Sequence, residues 1–293
     1  MDCNQAGIDL HIHSTASDGT LSPGEILRLA ENLGLGAISI TDHDTLKGSK
    51  ELLEVAGSSD VRVISGIEIS TIPPASFAVA GSFHILGYGI RLNDPVLNHT
   101  LETLQQARVN RNPLIIGRLN EMGLDISIEE VIQASGEAQI GRPHIAQLMI
   151  QKGFVRTIDE AFDVYLGFNK PAYVEKYKLD CQKAIEMIIR AGGTAVLAHP
   201  FLLGIPDESR TESLVAALKE MGLQGIEVYY PDHTCEHVQF YLKLARSYDL
   251  VITGGTDFHG AIKPDIQLGC GRGGFFIPYS VYDLLLNRQQ TMV

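Results

Sequence analysis

DLHIHSTASDGT, residues 9–20, sets two histidines one residue apart, with Asp18 just beyond them, near the start of a 293-residue chain. Ile8, Leu10 and Ile12 alternate with Asp9, His11 and His13. That is strand period, so both imidazoles leave the same side of the strand. A single histidine in a strand is more often packed in a core than ligating anything, and His-x-His alone is a weak signal. The reading turns on whether comparable side chains close other strands.

SPGEILRLAENLG follows at 22–34, with Ser22 as N-cap, Pro23 at the first helical position and Glu25 completing a capping box. Gly34 or Gly36 would end that helix. Strand patterns return in GAISITDHD, VRVISGIEIS and FHILGYGI. They return again in GTAVLAHP, GIEVYY and LVITGGTDFH, alternating with helices over 180–191, 209–221 and 235–247. Such alternation predicts parallel βαβ units, enough of them for an α/β barrel that is closed or nearly so. From about 99 to 171 the rhythm is helical instead, in LNHTLETLQQARVNR, SIEEVIQASG, RPHIAQLMIQKG and TIDEAFDVYLG. Ser127 and Glu130 form a second capping box, and Pro113 is expected to bend or end its helix. The expected organisation is a barrel over 1–98 and 172–293 with an inserted helical domain over 99–171. The insertion should cover the barrel rim, because loops after barrel strands lie there.

The net charge is −12. So acidic a surface does not suit a protein that grips long duplex nucleic acid by its phosphates. It is compatible with a small phosphorylated ligand in a locally cationic or metal-lined pocket. Cys3, Cys181, Cys235 and Cys270 are scattered without a CxxC pair, against a thiolate zinc site. Reduced thiols fit a cytoplasmic setting. No N-terminal segment reads as a signal peptide, and no stretch approaches the ~20 apolar residues that span a bilayer. The expectation is a cytoplasmic protein with no membrane partner; its oligomeric state is left open.

Metal-competent residues recur where strands end. His11 and His13 close the first strand, with Asp18 in the loop after it. His43 closes the second, Glu68 lies in SGIEIS, His84 in SFHILGY and His199 closes AVLAHP. Asp257 and His259 close GGTDFH, again on one face. Six of the 10 histidines in the chain stand at these places, which chance placement does not explain. In a parallel barrel those strand ends form one rim. Imidazoles and carboxylates without thiolates suit Zn²⁺, Mn²⁺ or Fe²⁺. Nine ligands exceed what one ion takes, so two or three ions are expected, bridged by a carboxylate such as Glu68. Such centres activate water and stabilise charge on an attacked phosphorus.

DLHIHSTASDGT, ITDHD, GIEIS, HILGY, LAHP and GTDFHG, in that order, resemble the polymerase-and-histidinol-phosphatase (PHP) family of amidohydrolase-like metal hydrolases. The resemblance implies a distorted seven-stranded (β/α) barrel, and the nine residues above each match a family ligand position. Asp18, where other branches often carry histidine, and the insertion IGRPHIAQLMIQKGF…AFDVYLGFNKPAYV resemble the branch of nucleoside 3′,5′-bisphosphate phosphatases and 5′-to-3′ exonucleases of short RNA. That branch implies hydrolysis of a phosphomonoester or of a short oligonucleotide, with Mn²⁺ the leading metal. Asp257 and His199 are the expected catalytic side chains; the group that protonates the leaving oxygen is left open.

Arg108, Arg111, Arg142 and His144 are the candidates for holding a second phosphate, arginine being suited to bidentate phosphate recognition. Arg118 is not placed. Glu227, His233, Asp42 and Asp44 are read as supporting or loop residues, and Tyr173 is left unassigned at the junction. Alternatives are a phosphatase for another small ester such as histidinol phosphate, a non-catalytic binding module, and amide hydrolysis.

Overall fold

The computed structural model describes residues 7–135 and 140–290; Cys3 and Gly136 lie outside the described residues. The elements open with β1 (Ile8–Ile12), α1 (Pro23–Asn32), β2 (Ala37–Ile40), α2 (Lys47–Val55), β3 (Arg62–Val63), β4 (Gly66–Ile72) and β5 (Phe83–Tyr88). Helices α3 (Pro95–Glu121), α4 (Ile128–Ser135), α5 (Arg142–Gln151) and α6 (Ile158–Ala161) come next, α6 running into a π-helical turn, Phe162–Leu166. The chain closes with β6 (Leu179–Asp180), α7 (Cys181–Arg190), β7 (Thr194–Leu197), α8 (Glu208–Glu220), β8 (Gly225–Tyr229), α9 (Cys235–Ser247), β9 (Val251–Gly254) and α10 (Ser280–Gln290).

Helix α1 begins as its sequence dictates: Ser22 Oγ accepts from the Glu25 N–H, and Glu25 Oε2 accepts from the Ser22 N–H at 2.8 Å. Ser127 and Glu130 exchange the equivalent pair of bonds before α4. Strands β1, β2 and β7 are buried at every position, as strands covered on both faces are.

The sheets run β1-β2-β3 and β6-β4-β5-β7-β8-β9. Two isolated bridges join them, Ile12 with Phe258 and His43 with Glu68. Strands β1, β2, β4, β5, β7, β8 and β9 therefore make a ring, with the two-residue β3 and β6 at sheet edges. This is the expected α/β fold with a distorted barrel, and two expectations within it need correcting. VRVISGIEIS is two strands, since β3 pairs with β2 and β4 belongs to the other sheet. FHILGYGI is not a parallel strand: β5 runs antiparallel to both β4 and β7. The connection 73–82 is too short for the dozen or more residues of a parallel crossover, so the chain turns straight back.

That reversal sends the end of β5 to the base of the barrel, beside Ala191 and Ser65. Helix α3 makes the return journey. Its 27 residues span about 40 Å at 1.5 Å per residue. Leu97, Leu101 and Leu104 pack into the barrel's core, with Ile85, Ile188 and Leu197. Ile115, Ile116 and Leu119 pack into a separate helical core with Ile145, Met149 and Leu166. The helix continues through Pro113, so it does not end there, one of the two outcomes expected of that proline. No helix among the described residues is long and apolar enough to cross a membrane.

Candidate metal centre and anion pocket

All nine predicted ligands come together at one rim. Glu68 is at the middle, although it sits inside β4 rather than at a strand end. Its Oε1 lies 2.7 Å from His84 Nδ1, 3.0 Å from His199 Nε2 and 3.5 Å from His11 Nε2. Its Oε2 lies 2.9 Å from His43 Nδ1 and 3.3 Å from His13 Nε2. His84 reaches this rim because β5 is reversed, which puts the start of that strand beside the ends of its neighbours. Asp257 Oδ1 is 3.1 Å from His13 Nε2 and 3.6 Å from His11 Nε2. Asp18 stands 3.4 Å from His13 Nδ1 and 3.6 Å from His259 Nε2.

The donor set fits divalent metal. Three overlapping groups, His13/Asp18/His43/His259, His11/His13/Glu68 and His43/Glu68/His84, each hold their ligand atoms within 4.8 Å of one another. An ion bound by N and O at about 2.0–2.2 Å needs tetrahedral neighbours about 3.3 Å apart, close to the spacings above. His11 Nε2, His13 Nε2, Asp18 Oδ1, His43 Nδ1 and Glu68 Oε2 are buried without hydrogen-bond partners. Orphans of this kind are rare in native proteins, and here they face one another.

Carboxylates and imidazoles act on one another throughout the cluster: against their burial, Glu227, Glu68 and Asp257 raise His11 to about 10, and Asp18, Asp257 and Glu68 raise His13 well above its ordinary value. Burial works to raise the Asp18 carboxyl, yet His43 and His259 hold it well below the usual carboxylate range. Glu68 is likewise lowered against its burial by His84, His43 and His11. Asp257 is lowered against its burial by Lys263, His259 and His11. Burial pulls the imidazoles of His84 and His259 down to about 4, which leaves ring lone pairs free for a cation.

Supporting side chains fix the ligands. Glu227, fully buried, places Oε1 2.9 Å from His11 Nδ1 and accepts from the His199 N–H through Oε2 at 2.7 Å. Asp42 accepts from the Ser14 N–H, Ser14 Oγ and Ser17 Oγ at 2.6–2.8 Å, which shapes the loop carrying Asp18. Asp9 accepts from Thr256 N and Oγ1 and from Gly269 N, tying β1 to the Asp257 loop. His199, Asp257 and Asp44 hold φ of 26°, 54° and 56°. Non-glycine residues rarely sit there, and the surroundings have to enforce it.

A cavity of about 550 Å³ opens above the rim, with Asp18, His43 and His84 toward its floor. Arg108, Arg111, Arg142, Lys176 and Lys178 line it. Arg108 and Lys176 share the Asp44 carboxylate, Arg108 at 2.9 Å and Lys176 at 2.5 Å. Lys176 also donates to Ser70 Oγ at 2.6 Å. One carboxylate does not balance two cations: burial, then Arg108, pull the Lys176 ammonium down to about 7 despite Asp44. Burial and the neighbouring Arg142 and Arg108 lower Arg111 to about 10. Arg142 donates to the Leu166 carbonyl at 2.8 Å and lies over the Phe162 and Tyr173 rings, 5.3 and 5.5 Å from their centroids.

Residues 9–195 match the PHP domain family. The chain belongs to the PHP domain family. It is a metal-dependent hydrolase of phosphate esters by that membership and by its relatives. It is 32% identical over 251 residues to a 5′-3′ exoribonuclease of Haemophilus influenzae, covering 86% of this chain and 89% of the relative. It is 31% identical over 257 residues to a 3′,5′-nucleoside bisphosphate phosphatase of Chromobacterium violaceum, covering 87% of each. At 30% over 256 residues it matches a phosphoribosyl 1,2-cyclic phosphate 1,2-diphosphodiesterase of Eggerthella lenta, covering 86% of this chain and 94% of the relative. A crystal structure from Bifidobacterium adolescentis, provisionally assigned as a metal-dependent phosphoesterase, superposes with a TM-score of 0.85 at 28% identity, covering 97% of this chain and 96% of that one.

Not every candidate of this PHP chain reaches the cavity. His144 is buried and spends Nδ1 accepting the Gly141 N–H at the start of α5. Arg118 is exposed and donates to the Tyr173 carbonyl. Sequence reasoning missed Lys176, Lys178, Lys263 and Tyr230. Lys176 and Lys178 stand one residue apart in VEKYKLD, an alternation that could have been noticed.

Proposed function

We propose that this PHP enzyme hydrolyses phosphate esters of nucleotides, foremost the 3′-phosphate of nucleoside 3′,5′-bisphosphates, and also short 5′-phosphorylated oligoribonucleotides. The observation that carries it is the juxtaposition of two anion-seeking regions. One is the nine-ligand rim. The other is the cationic wall of the cavity above it, in a chain whose net charge is −12. A substrate with two phosphates satisfies both.

In this reading His11, His13, Asp18, His43, Glu68, His84, His199, Asp257 and His259 hold two or three divalent ions, Mn²⁺ the leading choice and Zn²⁺ or Fe²⁺ the others. Bound ions supply Lewis acidity and an activated water at neutral pH. Hydrolysis forms one P–O bond to water, breaks the ester P–O bond and leaves the proton on the departing alcohol. Asp257 and His199 are the catalytic side chains, both fixed from behind: Asp257 by Tyr230, His199 by Glu227. Arg108, Arg111 and Arg142, in the helical segment 99–171, hold the phosphate that stays, and Lys176 and Lys178 extend that wall. His144 supports Arg142 by capping their shared helix. The free thiols of Cys181, Cys235 and Cys270 fit a cytoplasmic setting.

Histidinol phosphate suits the site less well, because its ammonium would face a wall of Arg108, Arg111, Arg142, Lys176 and Lys178 in which Glu175 is a single carboxylate. A binding module without catalysis would not need a full donor set. The test is phosphate release, with added Mn²⁺, from nucleoside bisphosphates, monophosphates, histidinol phosphate and short RNA. Arg142→Ala should lose roughly 10- to 150-fold in kcat/KM for a bisphosphate and much less for a monophosphate. An equal fall for both defeats the two-phosphate reading.

A further inference from the structure

We propose that Lys263 is a further catalytic residue of this centre, its ammonium binding a non-bridging oxygen of the phosphate being cleaved. The inference rests on the phosphoesterase reading above and concerns a cation that borders the rim without lining the arginine-rich cavity.

Lys263 follows the short 3₁₀ turn Gly260–Ile262 that comes directly after His259. Its N–H donates to the Gly260 carbonyl at 3.1 Å and its carbonyl accepts from the Ile266 N–H at 3.0 Å, so the turn is closed on both sides of it. Its Nζ lies 2.7 Å from Asp257 Oδ2. An ammonium has three N–H donors. Among the described residues Asp257 is the acceptor of one, and the other two have no protein acceptor. The side chain is 37% exposed, and it borders a cavity of about 370 Å³ whose wall also includes Glu68, His84, His199 and Asp257. The head of Lys263 thus faces the space in which a phosphate on the rim would lie.

The alternative is an ion pair that merely satisfies Asp257. Two details weigh against it. Asp257 Oδ2 already accepts the Tyr230 hydroxyl at 2.9 Å, and its Oδ1 faces His13 and His259. The carboxylate is therefore oriented without the lysine. Lys263 also does not line the arginine-rich cavity, so it does not serve the second phosphate. In phosphoryl transfer charge spreads over the non-bridging oxygens, and a lysine acts on them as a point charge. Such a donor, held in place before the reaction begins, costs no reorganisation as that charge develops.

The test uses Mn²⁺-loaded protein, with Lys263→Gln as the uncharged variant and Lys263→Arg as the charge-keeping one. Three quantities are measured: bound metal by elemental analysis, affinity for inorganic phosphate by calorimetry, and kcat/KM for adenosine 3′,5′-bisphosphate. Lys263→Gln should keep the wild-type metal content, bind phosphate at least about 10-fold more weakly and lose about 10²- to 10³-fold in kcat/KM. Lys263→Arg should recover most of both losses. Phosphate affinity within twofold of wild type overturns the proposal. Loss of metal together with activity also overturns it, since Lys263 would then act by holding Asp257. If wild-type protein releases phosphate from none of the esters, the phosphoesterase reading fails, and the phosphate calorimetry alone decides the Lys263 contact.

Discussion

Replacing Asp44 by asparagine would remove the charge that holds Arg108 and Lys176 together. The side chains of Asp44, Arg108 and Lys176 are 0%, 5% and 11% exposed, so solvent screens the contacts little. Breaking a buried ion pair from one side costs about 3–5 kcal/mol, because the partner charges stay buried. Asparagine keeps the shape and one acceptor for the Ser70 N–H, which Asp44 Oδ1 now binds at 2.8 Å, so the low end, about 3 kcal/mol, is expected. For a chain of this size that is a fall of roughly 6 °C in thermal midpoint. Urea unfolding of metal-loaded protein at pH 6, followed by circular dichroism, measures it directly. The loss should depend on pH. Burial tends to raise the Asp44 carboxyl, but Lys176, Arg108 and His43 hold it far below its ordinary value. A carboxyl lowered in the folded state contributes stability above its unfolded pKa of about 4 and loses it as pH falls through the folded value. The gap between wild type and Asp44→Asn should therefore persist at pH 5–6 and narrow below pH 4. Equal stabilities at pH 6 would refute the clamp.

Chelation of the metal should abolish phosphate release and lower the unfolding midpoint, by about 4 kcal/mol of stability if ions were held at a thousandfold over Kd; elemental analysis should find two or three ions per chain beforehand. His11→Ala or Asp257→Ala should remove most activity while circular dichroism stays close to wild type. Glu227→Gln, which takes the charge away from His11 Nδ1, should weaken metal binding about 10- to 100-fold, read by competition with a chelating dye. Gly255→Ala should cost activity by displacing the Asp257 loop: its Cβ would stand 2.3 Å from both the backbone N and the Cβ of His11. An alanine variant with wild-type metal content would count against so tight a contact.

The metal rim was legible because its signals are local. His-x-His and Asp-x-His carry their own geometry, and apolar alternation around them marks a strand whatever its neighbours do. Direction is not local. Nothing in FHILGYGI says that β5 runs backwards; the short connection 73–82 does, and only once sheet partners are considered. Proline has a strong helix-breaking prior, yet α3 passes through Pro113 because both of its halves are held by tertiary packing, Leu97–Leu104 on one side and Ile115–Leu119 on the other. Lysines leave little periodic trace, so Lys263 and its contact with Asp257 could not be read from spacing. Helix α10, whose Val281, Tyr282 and Leu285 pack on Ile8, Leu10 and Tyr88, went unread for want of a strand after it to complete a βα unit.

Helix α3 also bears on how this chain could be cut or exchanged. A graft that treated 99–171 as a removable cassette would take Leu101 and Leu104 out of the barrel's own interior. It would also take Gln105, whose amide donates to the Asp44 carbonyl at 2.9 Å beside His43. A workable exchange point lies further along, between Asn112 and Ile115, after Arg108 and Arg111 and before the second core begins. A lid joined there from a relative would bring its own Arg142 counterpart but inherit this chain's Arg108, Arg111 and Lys176. Altering specificity by recombination therefore divides the cationic wall between two parents, and the join has to preserve the pitch of one helix across both.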